Sequence, residues 1–98
     1  MTGCASMASR CFKWRWDQSR GDENDHWGPS TWLFEVDANS RPVRQIEIYD
    51  AGPTLCYGPD HEEDEYGFLD RSPLNESANW PRGEITADEF EAAWTGRR

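Results

Sequence analysis

The chain is poor in the residues that most chemistries need. It has only ten lysines and arginines against nineteen aspartates and glutamates over 98 residues, a net charge of −9. Neutralising a nucleic-acid backbone takes clustered cations, so direct binding to nucleic acid is excluded as an expectation. Its three cysteines, Cys4, Cys11 and Cys56, cannot all pair within one chain and form no C-x-x-C motif, which argues for a reduced, cytoplasmic setting. No apolar run approaches the roughly 18 residues that span a bilayer, so no membrane contact is expected. Glycines 52, 58 and 67 are scattered turn residues, and no glycine-rich phosphate loop is present.

What the chain does have is aromatic mass. Six tryptophans and 13% aromatic residues argue against disorder, which is aromatic-poor. By length the chain is one domain, with residues 1–9 read as a flexible leader and 10–98 as a single folded unit. The charge is uneven, because Arg10, Lys13, Arg15 and Arg20 face only Asp17 within the first twenty residues. All the acidic surplus therefore lies downstream.

Strict alternation from Cys11 puts Phe12, Trp14 and Trp16 on one face and Lys13, Arg15 and Asp17 on the other, the mark of a half-buried strand. A long polar loop, 18–30, follows. The next strands are expected at about 31–37 and 43–49, joined by a polar turn as a hairpin, with a fourth at 54–57 after Gly52-Pro53. Residues 60–65 read as a solvated acidic loop, 66–69 as a brief edge segment and 71–83 as an irregular crossover. Thr86 and Glu89 match a capping box, and Phe90, Ala93 and Trp94 form an apolar stripe, so a short amphipathic helix is expected at about 87–95. The expected fold is α+β: a small antiparallel meander of about four strands packed against one C-terminal amphipathic helix. Trp14, Trp16, Trp32 and Trp94 lie in these periodic segments and are assigned to the core.

Four segments carry a resemblance. Lys13-Trp14-Arg15-Trp16-Asp17, Phe34-Glu35-Val36-Asp37, Arg44 to Tyr49 followed by Ala51-Gly52, and Ile85 to Trp94 with its E-F-E-x-x-W ending together resemble a family of small bacterial domains of unassigned activity. The likeness spans about residues 12–94. Such domains look like the single-domain immunity proteins that accompany bacterial toxins, and the resemblance carries over no catalytic residue. Two departures stand out: Trp16 occupies a position where these sequences often place histidine, and the segment containing Asp22 to Trp27 is longer than in the family.

Several constellations bear on chemistry. His26 and His61 with Asp22 or Glu63 are legitimate zinc ligand types, but they lack fixed spacing and read as solvated loop histidines. The acidic run has no calcium-loop pattern. Glu35 and Glu47 fall on adjacent strands, where paired carboxylates do acid–base work, yet Arg15 and Arg44 make neutralising ion pairs the simpler outcome. Cys56 reads as a small buried hydrophobe. No cofactor is called for. Trp27 and Trp80 stand outside the periodic elements, each either an exposed contact or a lid folded onto the sheet.

The expected function is therefore a non-enzymatic, acidic protein-binding module, an immunity-type inhibitor of a basic toxin or nuclease, because acid surplus beside aromatic anchors suits steered association with a basic protein. Its binding face is assigned to Asp22, Glu23, Asp25, Trp27, Asp60, Glu62, Glu63, Asp64, Glu65, Tyr66 and Trp80. Two alternatives are an acidic nucleic-acid mimic used in phage–host conflict, and a small-molecule or metal-dependent enzyme built on the polar sheet face.

Overall fold

A computed structural model describes residues 10–78 and 80–96; the leader lies outside them. The strands are Arg10–Trp16 (β1), Ser30–Val36 (β2), Pro42–Tyr49 (β3), Thr54–Tyr57 (β4), Glu63–Asp64 (β5), Gly67–Phe68 (β6) and Glu84–Ile85 (β7), and the helix is Ala87–Thr95 (α1). The fold is α+β as the periodicity requires. Strands β1 to β4 form an antiparallel meander, and β7 joins the outer edge of β1 to complete a five-stranded sheet in the order β4-β3-β2-β1-β7.

The turns follow from their residues. Between β2 and β3 the Asp37 carboxylate accepts the amides of Asn39 (2.8 Å) and Arg41 (3.1 Å), while Ser40 takes a positive φ of 64°. Between β3 and β4, Gly52 lies directly against Trp27: a Cβ there would sit 2.4 Å from the indole Cγ. The long loop is thereby tied down, since Ala51 also donates to the Trp27 carbonyl (2.8 Å) and Asp50 to that of Pro29 (2.9 Å).

Register assigns the two faces. Pairing rows Phe12–Phe34–Gln45–Tyr57 and Trp14–Trp32–Glu47–Leu55 point to one side; rows Cys11–Glu35–Arg44 and Lys13–Leu33–Ile46–Cys56 point to the other. The second side is covered by α1, whose Phe90, fully buried, packs on Cys11, Leu33 and Ile46 with Ala93 and Trp94 beside it. Burying a phenylalanine this completely contributes about 2–3 kcal/mol of transfer free energy. The Thr86 hydroxyl caps α1 by accepting from the Glu89 amide (3.1 Å). The capping box is only half made, because the Glu89 carboxylate turns instead to Lys13 (3.2 Å).

Three expectations change. The sheet has a fifth strand, β7, because Gly83 at φ +79° lets the crossover approach β1, its carbonyl accepting from Lys13 (2.8 Å); two residues are too short to show a period. The acidic run is not wholly loop, since Asp64 folds β5 and β6 into a hairpin by accepting from the amides of Tyr66 (2.8 Å) and Gly67 (3.2 Å) and from the Tyr57 hydroxyl (2.9 Å). The assignment of Trp16 to the core is corrected as well, since it is 55% exposed, whereas Trp14, Trp32 and Trp94 are half-buried and pack against the buried clusters. The one buried tryptophan is Trp27, packed with Tyr49, Leu55 and Tyr57.

Candidate functional site: an aromatic cavity over a buried carboxylate

The face opposite α1 is only partly covered. The crossover lays Leu74 and Trp80 over Phe12, Phe34 and Val36 at one end, and the long loop lays Trp27 over Tyr49 and Leu55 at the other. Between these two plugs lies a cavity of about 740 Å³, within the range of ligand and peptide-anchor sites. Trp14, Trp32 and Phe34 line it, Trp16, Tyr66 and Phe68 stand at its exposed margin, and Glu47 belongs to its lining. Strand alternation explains this composition: the tryptophans that periodicity placed inward do point inward, but among the described residues the crossover covers Trp14 and Trp32 only in part and leaves Trp16 exposed.

The indole N–H groups are satisfied within the chain. Trp14 donates to the Arg82 carbonyl and Trp32 to the Ser30 hydroxyl, both at 2.7 Å. That holds the rings at fixed angles, with Trp14 edge-on to Phe34 at 5.5 Å and Trp32 tilted against it at 6.0 Å.

Glu47 is the unusual group. Its side chain is 3% exposed, and it is held by two neutral donors, the Gln45 amide (2.7 Å) and the Tyr49 hydroxyl (2.7 Å). It has no ion-pair partner among the described residues. The nearest cation acts through a hydroxyl: Arg20 donates to Tyr49 (3.1 Å), which donates to Glu47. Burial raises the Glu47 carboxyl above its ordinary value, outweighing the lowering by Tyr49, Gln45 and Arg20. The Tyr49 phenol is pushed up to about 12, first by burial and then by its bond to Glu47.

The structure draws together part of the assigned binding face. Arg20 pairs with Asp22 (3.0 Å), donates to the Tyr66 carbonyl (2.7 Å) and lies over the Trp27 ring (5.4 Å), so the long loop and the β5–β6 hairpin meet at the cavity rim. Asp25 is occupied locally, accepting from Ser19 (2.5 Å) and Gly21 (2.8 Å). Asp64 is committed to its hairpin, and Glu63 faces Arg71 at 3.6 Å. Glu23, Asp60, Glu62 and Glu65 are exposed and unpaired among the described residues. Of the two places open to Trp27, the structure takes the lid. Trp80 is also folded back, half-buried at 4.6 Å from Phe12 with Arg10 over it at 4.9 Å.

Other constellations separate. Glu35 and Glu47 lie on opposite faces, Glu35 paired with Arg44 (2.6 Å), so they form no carboxylate pair. His61 bonds to Asp64 (3.0 Å) and stacks on Tyr57, and no three metal-ligating side chains cluster among the described residues. Cys11 is buried, its thiol pushed up to about 11 by burial and by the Glu35 charge, far from nucleophilic use. Trp16 and Phe68 stand outside the binding face assigned from sequence, and Glu47 enters the sequence reading only as a partner for Glu35. Alternation had placed Trp16 in the core, and nothing in sequence shows which face stays uncovered. No helix of the described residues is long and apolar enough to cross a membrane. Comparison with family models and with curated proteins finds no match to this chain, so the site is read from its own chemistry.

Proposed function

We propose that this protein is a non-enzymatic binding module, an immunity-type inhibitor that covers a basic surface on a bacterial toxin or nuclease. One observation carries the reading: Trp16, Tyr66 and Phe68, each at least a third exposed, stand around an open cavity, with Glu65 preceding Tyr66 on the same hairpin. Large aromatic anchors around a recess are the usual centre of a tight interface, and surrounding acids add steering toward a basic partner. Many of the other acids are already paired with cations of the chain. That weighs against a nucleic-acid mimic, which needs free charges at phosphate-like intervals. A small-molecule enzyme built on Glu47 is the second reading, favoured by the raised carboxyl within the cavity.

The test takes basic proteins encoded beside this chain and measures their binding by calorimetry. Trp16→Ala with Phe68→Ala weakens the interaction by at least about a hundredfold. Neutralising Asp60, Glu62 and Glu65 slows association and flattens its salt dependence. Binding that neither change touches, or the absence of any binder among those proteins, sinks the proposal.

A further inference from the structure

The two faces of the sheet treat a carboxylate differently. On the helix face, Arg44 pairs with Glu35 and with Glu91 while its guanidinium lies 4.9 Å from the Phe90 ring centre and 5.0 Å from that of Trp94. Two carboxylates and two aromatic rings thus enclose one guanidinium. On the cavity face the same parts recur. Glu47 is buried; Trp32 is its cross-strand neighbour; Trp14 and Phe34 stand beside Trp32. Among the described residues no guanidinium bonds to Glu47 directly. Arg15 and Arg20 line the cavity, but Arg15 is paired with Asp17 and Asp50, and Arg20 is paired with Asp22, lies over Trp27 and Tyr49, and reaches Glu47 only through the Tyr49 hydroxyl.

Resting on the reading of a basic partner, we infer that the cavity receives the guanidinium end of an arginine side chain from that partner, with Glu47 as counter-ion and Trp32 as stacking face. Each Glu47 oxygen accepts one bond within the chain, from Tyr49 and from Gln45, which leaves an acceptor position on both for a forked donor. A flat, weakly hydrated guanidinium suits aromatic walls better than a compact ammonium does. The exposed margin at Trp16 and Phe68 leaves the cavity open for such a side chain to enter from outside. An uncharged ligand would leave the buried carboxylate without a counter-charge, the costly arrangement that an incoming cation removes.

The test titrates the full chain, labelled with ¹³C in its glutamates, with N-butylguanidinium, N-butylammonium and the neutral isostere N-butylurea. Tryptophan fluorescence and the Glu47 carboxyl resonance are followed. The guanidinium saturates the cavity, binds at least about tenfold tighter than the urea, and lowers the midpoint of Glu47 titration, because a bound cation favours the charged form. Glu47→Gln removes that preference. Should the variant fail to fold, the shift of the Glu47 midpoint in the unaltered protein decides alone. Equal binding of urea and guanidinium, a Glu47 resonance that does not respond, or tighter binding of butylammonium overturns the assignment. Failure here leaves partner binding and its dependence on Trp16 and Phe68 to stand or fall separately.

Discussion

Glu35 and Glu47 sit on neighbouring strands of one sheet, on opposite faces, and the partners that hold them differ. Glu35 meets a guanidinium from its own chain; Glu47 meets a hydroxyl and an amide. On the helix face α1 covers the centre around Leu33 and Ile46, although Ile48 at its edge stays exposed, and Arg44 pairs with Glu35 and Glu91 and lies over the Phe90 and Trp94 rings. The cavity face has aromatic rings and a carboxylate too, but it keeps an exposed margin, and its carboxylate has no ion-pair partner among the described residues. A chain that can complete such a site on one side and leaves it open on the other separates residues that stabilise the fold from residues free to bind.

The contrast predicts unequal responses to mutation. Phe90→Ala empties the centre of the closed face, where the ring is fully buried, and lowers stability by about 3–5 kcal/mol in denaturant unfolding; a loss under 1 kcal/mol would mean that α1 is not docked. Arg44→Ala strands Glu35, whose side chain is 19% exposed, and strips cover from Phe90 and Trp94. The expected loss is about 2 kcal/mol, nearer the buried than the surface limit for ion pairs.

Glu47→Gln has a smaller effect. It removes a buried charge that has no ion-pair partner among the described residues, but its amide nitrogen meets one of the two donors that Glu47 satisfies, so the two effects oppose and stability at pH 7 stays within about 1 kcal/mol of the parent. The sign with pH follows from the raised carboxyl. Between the ordinary value of 4.5 and the higher folded one, the native state holds more protons than the unfolded state, so stability falls as pH rises through that window. The parent loses stability relative to Glu47→Gln over that range, and thermal unfolding at several pH values checks it. A parent that gains on the variant with rising pH would place Glu47 with the paired carboxylates and erase the contrast between the faces.

Much of this architecture is legible from the residues. Alternation in 11–17, the turn chemistry of Asp37 and Ser40, and the Thr86 cap with the Phe90–Trp94 stripe each specify a local structure through interactions a few residues long. They place the four-stranded meander and the helix where they are found, and they assign Gln45, Glu47 and Tyr49 to one side of β3. The site is less legible. Asp22 and Tyr66, both in the expected binding face, reach the cavity rim and are joined there through Arg20, whereas Asp25 and Asp64, in that face for their charge, are committed to loop geometry. An acidic side chain looks the same in sequence whether its oxygens face water or a neighbouring amide.

The sequence by itself determined which side chains share a face, because a strand's period of two is a property of the backbone alone. It could not determine which face would be covered. That depends on where the helix, the crossover and the long loop come to rest, and those are long-range packing choices made by Phe90, Leu74 and Trp27. Hence Trp27, from a loop outside the strands, became the buried tryptophan. The tryptophans with the clearest inward pattern, Trp14, Trp16 and Trp32, line a cavity that remains open among the described residues.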